Sequence, residues 1–154
     1  MMRNNWPVTQ GELTVQVLGP VRLIGAHGQI VDLPSASQRR LLGALAIHAS
    51  RPVRAEWLCG VLDVTAGALR TSVSRLRRVV GDGPLQTTVG GYWLDAPVDA
   101  ALACAEIQSA SGDPVALTRA LGRWVGHALE EFTDEPWAVG EVARLAAIRA
   151  TAVE

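Results

Sequence analysis

Lysine is absent from this chain of 154 residues, so all fourteen basic side chains are arginine. A guanidinium group stays charged at neutral pH and can donate two parallel hydrogen bonds, a geometry that suits phosphate and guanine. A biased genomic base composition would equally explain the absence of lysine. Composition alone therefore leaves nucleic-acid binding as one of two interpretations of the arginine content.

Other absences exclude several classes of function. The two cysteines, Cys59 and Cys104, form no CxxC pair and lack metal-ligand spacing, so we expect buried free thiols in a reducing cytoplasm. His27, His48 and His127 are scattered without an HExxH motif, so no metal site is expected. GxSxG, phosphate-binding-loop and GxGxxG motifs are missing as well. The sequence predicts a protein that is not an enzyme and has no cofactor.

Long apolar runs are also missing. No run approaches the roughly 18 residues of a membrane span, and the N-terminus has no apolar signal core. Hydrophobic residues make up 49% of the chain and charged residues 19%, which suffices for a core and argues against disorder. We expect a soluble, cytoplasmic protein without membrane contact, formed by one domain or by a small domain and part of a second.

The formal net charge of −1 conceals two halves of opposite sign. Residues 1–95 carry ten arginines and six acidic residues, whereas residues 96–154 carry four arginines and nine acidic residues. This asymmetry indicates that the two halves face different partners, or that the acidic half folds back over the basic half and restrains it.

The first part of the basic half has the pattern of short strands. Residues 1–12 are polar, and we expect a flexible N-terminus there. In "LTVQVLG" (residues 13–19) apolar and polar residues alternate, and "VRLIG" and "QIVDLP" follow after turn signals. Three such runs predict a small antiparallel meander.

The hydrophobic period changes at Ser35, where a series of helices begins. Ser35 or Ser37 can cap the first helix, in "SASQRRLLGALAIHAS". A short second helix in "RPVRAEWLCGVL" is predicted to point four residues inward: Trp57, Leu58, Val61 and Leu62.

The third helix is predicted over Ala66–Val80, with Thr65 as its cap and Gly81 as its stop. "LQTTVGGYWLD" then predicts a β-hairpin. After Pro97 only helical patterns remain, in "VDAALACAEIQSASG", "DPVALTRALGRWVGHAL" and "TDEPWAVGEVARLAAIRATAVE". The last of them reaches the C-terminus without a stop signal, so we expect a chain that has been cut short.

The third helix separates apolar from basic residues. Leu69, Val73, Leu76 and Val80 share one face at the helical period of 3.6 residues. The opposite face carries two rows: Arg70, Ser74 and Arg77, and Thr71, Arg75 and Arg78. No acidic residue of this helix neutralises the arginines, although like charges one turn apart repel by a few tenths of a kcal/mol per pair.

A helix face that is merely exposed to solvent would also explain this run of arginines. The context favours a DNA partner, because three helices followed by a glycine-tipped hairpin are the layout of a winged helix-turn-helix. In that arrangement the third helix enters the major groove, which is wide enough to admit it, and the first helix braces against phosphates.

Five segments in sequence order resemble the antibiotic-regulatory-protein (SARP) class of bacterial transcription factors: "VQVLGPVRL", "SQRRLLGALAIHASRPV", "VSRLRRVVG", "GGYWLD" and "TDEPWAVGEVARLAAIRATAVE". The resemblance implies an α+β fold. Residues 13–96 would form an OmpR-type winged helix-turn-helix, with an N-terminal antiparallel sheet, three helices and a hairpin wing. Residues 97–154 would form the first part of an all-α, TPR-like bacterial transcriptional activator domain. The implied activity is binding of double-stranded promoter DNA at direct repeats, with help in recruiting RNA polymerase.

Carried over by position, the resemblance also implies site residues. Arg70, Ser74 and Arg75 fall where recognition helices of this type contact bases, and Arg77 and Arg78 fall nearer the DNA backbone. Further phosphate contacts are implied for Thr71, Gln38, Arg39, Thr87, Thr88 and Tyr92. Tyr92 could instead pack under the wing, and Trp93 is expected in the core.

Two departures from the family pattern bear on activity. Only eleven residues separate Leu62 from Ser74, fewer than in the family, where this loop faces polymerase. The activator domain is also much shorter than the helical domain of the family. An alternative is therefore a protein-interaction module that keeps the winged-helix fold with reduced or lost DNA binding. Since no coiled-coil pattern is present, we expect a monomer in dilute solution that can pair on DNA.

Overall fold

The computed structural model of the chain describes residues 13–49 and 51–153. It begins with three short strands, β1 (Thr14–Gln16), β2 (Arg22–Ile24) and β3 (Ile30–Val31). They form an antiparallel sheet in the order β1-β2-β3, as the alternating sequence predicted. The flexible N-terminus predicted for residues 1–12 lies outside the described residues.

Three helices follow, α1 (Ala36–Ala46), α2 (Ala55–Leu62) and α3 (Ala66–Val80). The Ser35 hydroxyl accepts a hydrogen bond from the Gln38 N–H at 3.1 Å and so caps α1. Thr65 caps α3 in the same way. Gly81 ends it with a φ of 89°, a conformation that glycine adopts without strain. The bounds predicted for α3 are confirmed.

The wing is part of a second sheet. Strands β5 (Leu85–Thr88) and β6 (Gly91–Leu94) form the predicted hairpin, and β4 (Val53–Arg54) adds a third strand on the other side of β6. Gly91 is required there, since a Cβ at this position would overlap the carbonyl group of Val53. The sequence predicted an extended segment at Val53 but not its pairing.

The acidic half forms α4 (Asp99–Ala110), α5 (Pro114–Leu121), a 3₁₀ turn at Glu130–Phe132, and α6 (Pro136–Val153). The helix predicted in "DPVALTRALGRWVGHAL" is wrong beyond Leu121. In the following segment the Val125 and Leu129 N–H groups donate to the carbonyl oxygens of Leu18 and Val17, at 2.9 and 2.7 Å. These bonds to the β1–β2 connection replace the bonds that would continue the helix.

The helical segment shares its core with the N-terminal sheet. One cluster of buried apolar residues runs from Leu13 through α3 to Leu145. The Val15 N–H donates to the Pro97 carbonyl oxygen at 2.8 Å, where the chain passes from β6 to α4. The boundary predicted between residues 96 and 97 lies at this passage and stays a prediction.

Asp99 connects these two parts of the chain through its side chain. It is 6% exposed, and its carboxylate accepts hydrogen bonds from the N–H groups of Val17, at 2.8 Å, and Leu18, at 3.1 Å. Burial raises the pKa of Asp99 to about 6, although these hydrogen bonds act in the opposite direction.

Trp57 corrects the prediction for α2. Leu58 is fully buried and Val61 and Leu62 are half-buried, but Trp57 is 36% exposed. Its ring packs edge-on against His48, with centroids 5.0 Å apart. On a helix Trp57 points about 100° away from Leu58, which places it outside the buried stripe. Among the described residues, no helix is long and apolar enough to cross a membrane.

Candidate nucleic-acid interface

The inner face of α3 holds the helix in the core. Its four apolar residues are each at most 1% exposed: Leu69, Val73, Leu76 and Val80. They were predicted to share this face from their spacing alone. Because this face is fully buried, the rotation of α3 about its own axis is fixed, and so is the set of side chains that points outward.

The outer face carries an exposed strip of polar and basic residues. Together with Gly67, the strip lines a shallow concavity of about 400 Å³ and consists of Arg70, Thr71, Ser74, Arg75 and Arg78. Within residues 13–49 and 51–153, no carboxylate lies within 4.0 Å of the guanidinium groups of Arg70, Arg75 or Arg78. Three cations within little more than two helical turns therefore face solvent without a counter-charge from the described chain.

Arg77 differs from the other arginines of α3. Its side chain is half-buried, its Nε donates to the Leu85 carbonyl oxygen at 2.8 Å, and its Nη2 donates to Thr87 Oγ1 at 2.6 Å. The guanidinium thus joins α3 to strand β5 and places the wing beside the exposed strip.

The predicted wing residues differ in how much surface they offer. Thr87 is exposed, whereas the hydroxyl of Thr88 is buried and has no hydrogen-bond partner among the described residues. Tyr92 is 9% exposed and belongs to the core, which agrees with the alternative that it packs under the wing. Trp93 points to the other side of β6 and is half-buried. The fully exposed Val89 marks the tip of the hairpin.

Two predicted phosphate contacts lie at the start of α1 and are at least partly buried there. Gln38 is 7% exposed. Arg39 is half-buried, its Nη1 donates to the Leu33 carbonyl oxygen at 3.0 Å, and its Nε lies 3.4 Å from Glu131. Arg39 therefore belongs to the junction between the first sheet and the helical segment, and neither residue joins the strip on α3.

Arg40 and Glu135 form the centre of this junction. The Arg40 guanidinium donates to both carboxylate oxygens of Glu135, at 2.9 and 2.8 Å, and lies 5.1 Å from the ring centroid of Phe132. The Trp137 indole N–H donates to the same carboxylate at 2.7 Å. The hydrogen bond from Arg40 is the main cause that lowers the pKa of Glu135. Within the described residues, the acidic half thus pairs with α1, and none of its carboxylates pairs with an arginine of α3.

Sequence reasoning missed Arg54 as a basic residue of the wing sheet. It lies in β4 opposite Gly91 and is strongly exposed, 3.5 Å from the equally exposed Glu56. The signal available in the sequence was an arginine directly before a helix, but the strand pairing that brings it to the wing is not visible there.

Comparisons with known proteins identify regulatory relatives. No family model matches the sequence. The regulatory protein AfsR of Streptomyces coelicolor is 33% identical over 138 residues, which cover 77% of this chain and 14% of AfsR. The protein of the same name from Streptomyces griseus is 33% identical over 157 aligned residues, or 90% of this chain and 16% of that protein. The chain therefore spans less than a fifth of the length of either relative.

A solved structure has the same fold. EmbR of Mycobacterium tuberculosis, determined in complex with a low-affinity phosphopeptide, superimposes with a TM-score of 0.76 at 24% identity. The match covers 92% of this chain and 43% of EmbR, and so includes both the winged helix and the helical segment. Both AfsR proteins are named regulatory proteins. In sequence and in fold, the chain is thus similar over most of its length to regulatory proteins of the SARP type.

Proposed function

We propose that this chain is a sequence-specific DNA-binding transcriptional regulator that inserts α3 into the major groove. The observation that carries the proposal is the exposed strip on α3, where Arg70, Arg75 and Arg78 have no carboxylate partner among the described residues. Repulsion among these cations is relieved when the helix binds a phosphate backbone, and the counterions condensed on the DNA are released.

Each residue of the strip has a proposed role. Arg70 to Arg78 spans about 12 Å of helix, roughly the rise of three to four base pairs. Arg70, Ser74 and Arg75 contact base edges, and an arginine can donate two hydrogen bonds to guanine. Thr71 and Arg78 contact phosphates and fix the register of the helix. The small side chains of Gly67, Thr71 and Ser74 allow the backbone to approach the groove.

The remaining predicted contacts are proposed to contribute unequally to DNA affinity. Thr87 has its side chain on the surface beside α3 and is the best placed of the wing residues. Thr88, Tyr92 and Gln38 offer less surface, and Arg39 is engaged at the junction with Glu131. Their contribution to DNA affinity is therefore smaller than that of the strip.

The proposed partner is double-stranded promoter DNA, bound at direct repeats by chains that are monomeric in solution. RNA polymerase is proposed as a second partner. Only Asp63, Val64 and Thr65 connect α2 with α3, so the loop offers little surface for that contact.

The test is selection of duplexes from a random pool, followed by affinity measurements on the enriched sequence and on a scrambled one. Arg75→Ala is expected to lose about 1–3 kcal/mol on the enriched sequence and to discriminate less between the two. The matched control is Arg119→Ala, which removes an exposed arginine from α5 and should bind like the wild type. If no duplex is enriched, or if the two variants behave alike, an interaction module without DNA binding replaces the proposal.

A further inference from the structure

The four arginines of α3 are not equivalent. Arg70, Arg75 and Arg78 are exposed, whereas Arg77 is half-buried and donates two hydrogen bonds to β5. One acceptor is the backbone oxygen of Leu85 and the other is the hydroxyl of Thr87, two residues further along the strand. Two donors on one rigid plane with two acceptors on one strand fix both the distance and the angle between helix and strand.

We infer that Arg77 is a positioning residue of the DNA-binding surface, which sets the wing against α3 and makes no phosphate contact itself. The inference rests on the proposed DNA-binding function. It reassigns a residue that the family resemblance placed nearer the DNA backbone, and it explains why, among the arginines of α3, this one is turned toward the protein.

The contact acts on the whole hairpin. Thr87 lies opposite Tyr92 in the ladder between β5 and β6, and Tyr92 is itself anchored in the core and paired with Val53 of β4. The tip at Val89 and Gly90 begins only two residues beyond Thr87. A wing already held in its bound orientation does not have to be ordered when DNA binds, so the ordering cost is avoided.

The experiment compares four variants on the duplex enriched by the wild type, with affinity measured as a function of salt. Arg77→Ala and Arg77→Lys are both expected to weaken binding about three- to tenfold, the cost of ordering one or two side chains. The slope of affinity against salt should stay that of the wild type, because no phosphate contact is lost. Arg78→Ala, in contrast, should lower the slope by about 0.9.

Thr87→Val removes the neutral acceptor and keeps a β-branched side chain in the strand. It should weaken binding less than Arg77→Ala, because the bond from Arg77 to the Leu85 carbonyl oxygen remains. The double variant should be no weaker than Arg77→Ala, since both substitutions remove the bond between Arg77 and Thr87. Amide hydrogen exchange of the free proteins gives a readout without DNA. Exchange in β5 and β6 should accelerate in Arg77→Ala, while the exchange of α4 stays unchanged.

Two results would overturn the inference. If Arg77→Lys binds like the wild type while Arg77→Ala lowers the salt slope, Arg77 is a phosphate contact. If Arg77→Ala binds like the wild type, the hydrogen bonds to β5 do not matter for DNA binding. Failure of the proposed function is distinguishable from both results, because then the wild type itself binds no duplex.

Discussion

Single charged side chains in this protein act either within the fold or on its surface, and their contacts tell the two groups apart. Asp99, Glu135 and Arg40 have hydrogen-bond partners from other parts of the chain. Arg70 and Arg75 have none among the described residues. Substitutions in the first group should therefore change the stability of the fold, and substitutions in the second should change the affinity for DNA.

Asp99 should make stability depend on pH. Its pKa is about 6 in the folded chain against 3.8 for an unperturbed aspartate, so the folded state holds the proton more tightly. The stability that this group contributes is fully present below about pH 4 and is lost as the pH rises through 6. Relative to Asp99→Asn, which does not titrate, the wild type should gain up to about 3 kcal/mol between pH 7 and pH 4. Chemical unfolding of both proteins across this range measures the gain, and a constant difference would contradict the prediction.

Glu135→Gln should destabilise the fold. The substitution breaks a half-buried pair with Arg40 and weakens the bond from Trp137. We expect a loss of about 1–2 kcal/mol, between the values for exposed and buried pairs. Glu56→Gln is the control, since the pair of Glu56 with Arg54 is strongly exposed. Its effect on the free energy of unfolding should be clearly smaller in the same assay, and equal losses in the two variants would refute the argument.

At the scale of helices and strands, the sequence predicted those features that are determined by nearby residues. The bounds of α3 follow from its cap, its stop residue and its apolar stripe, all within seventeen residues between Thr65 and Gly81. The end of α5 and the strand β4 do not follow from local signals. They depend on Leu18 and Gly91, residues that lie far from them in the sequence.

The candidate site shows the same division. The strip on α3 was predicted because every member lies on one helix. The ion pair between Arg39 and Glu131 joins residues 92 positions apart, so it could not be predicted from the sequence around either residue. The bonds of Arg77 to the wing depend on how the hairpin folds back over α3, which no residue pattern specifies.

The pairing of β4 with the wing should be sensitive to one methyl group. Gly91→Ala would place its Cβ into the carbonyl group of Val53, so the two strands must separate. A loss of about 2 kcal/mol or more is expected in thermal or chemical unfolding. Gly60→Ala is the matched control, because it lies in α2 with open space around it and should gain about 0.5–1 kcal/mol. Similar effects of the two substitutions would argue against this pairing.

For the whole molecule, the shared core predicts one cooperative unfolding transition. The apolar cluster, the Asp99 carboxylate and the bonds of Val125 and Leu129 all join the helical segment to the first sheet. The winged helix and the helical segment should therefore melt together, with equal calorimetric and van't Hoff enthalpies. Two separated transitions in a calorimetric scan would show instead that the parts on either side of residue 96 fold independently.

On α3, the residues that stabilise the fold and the residues proposed to bind DNA lie on opposite faces, and this has a consequence for evolution. The side chains proposed to select the DNA sequence lie on the exposed face of α3, opposite the four buried residues that hold the helix in the core. A duplicated copy of this protein could exchange Arg70, Ser74 and Arg75 and acquire new target sites without first having to gain stability. Lineages that diverge in this way should vary freely at these three positions while they retain Arg77, whose replacement would disturb the wing for every target alike.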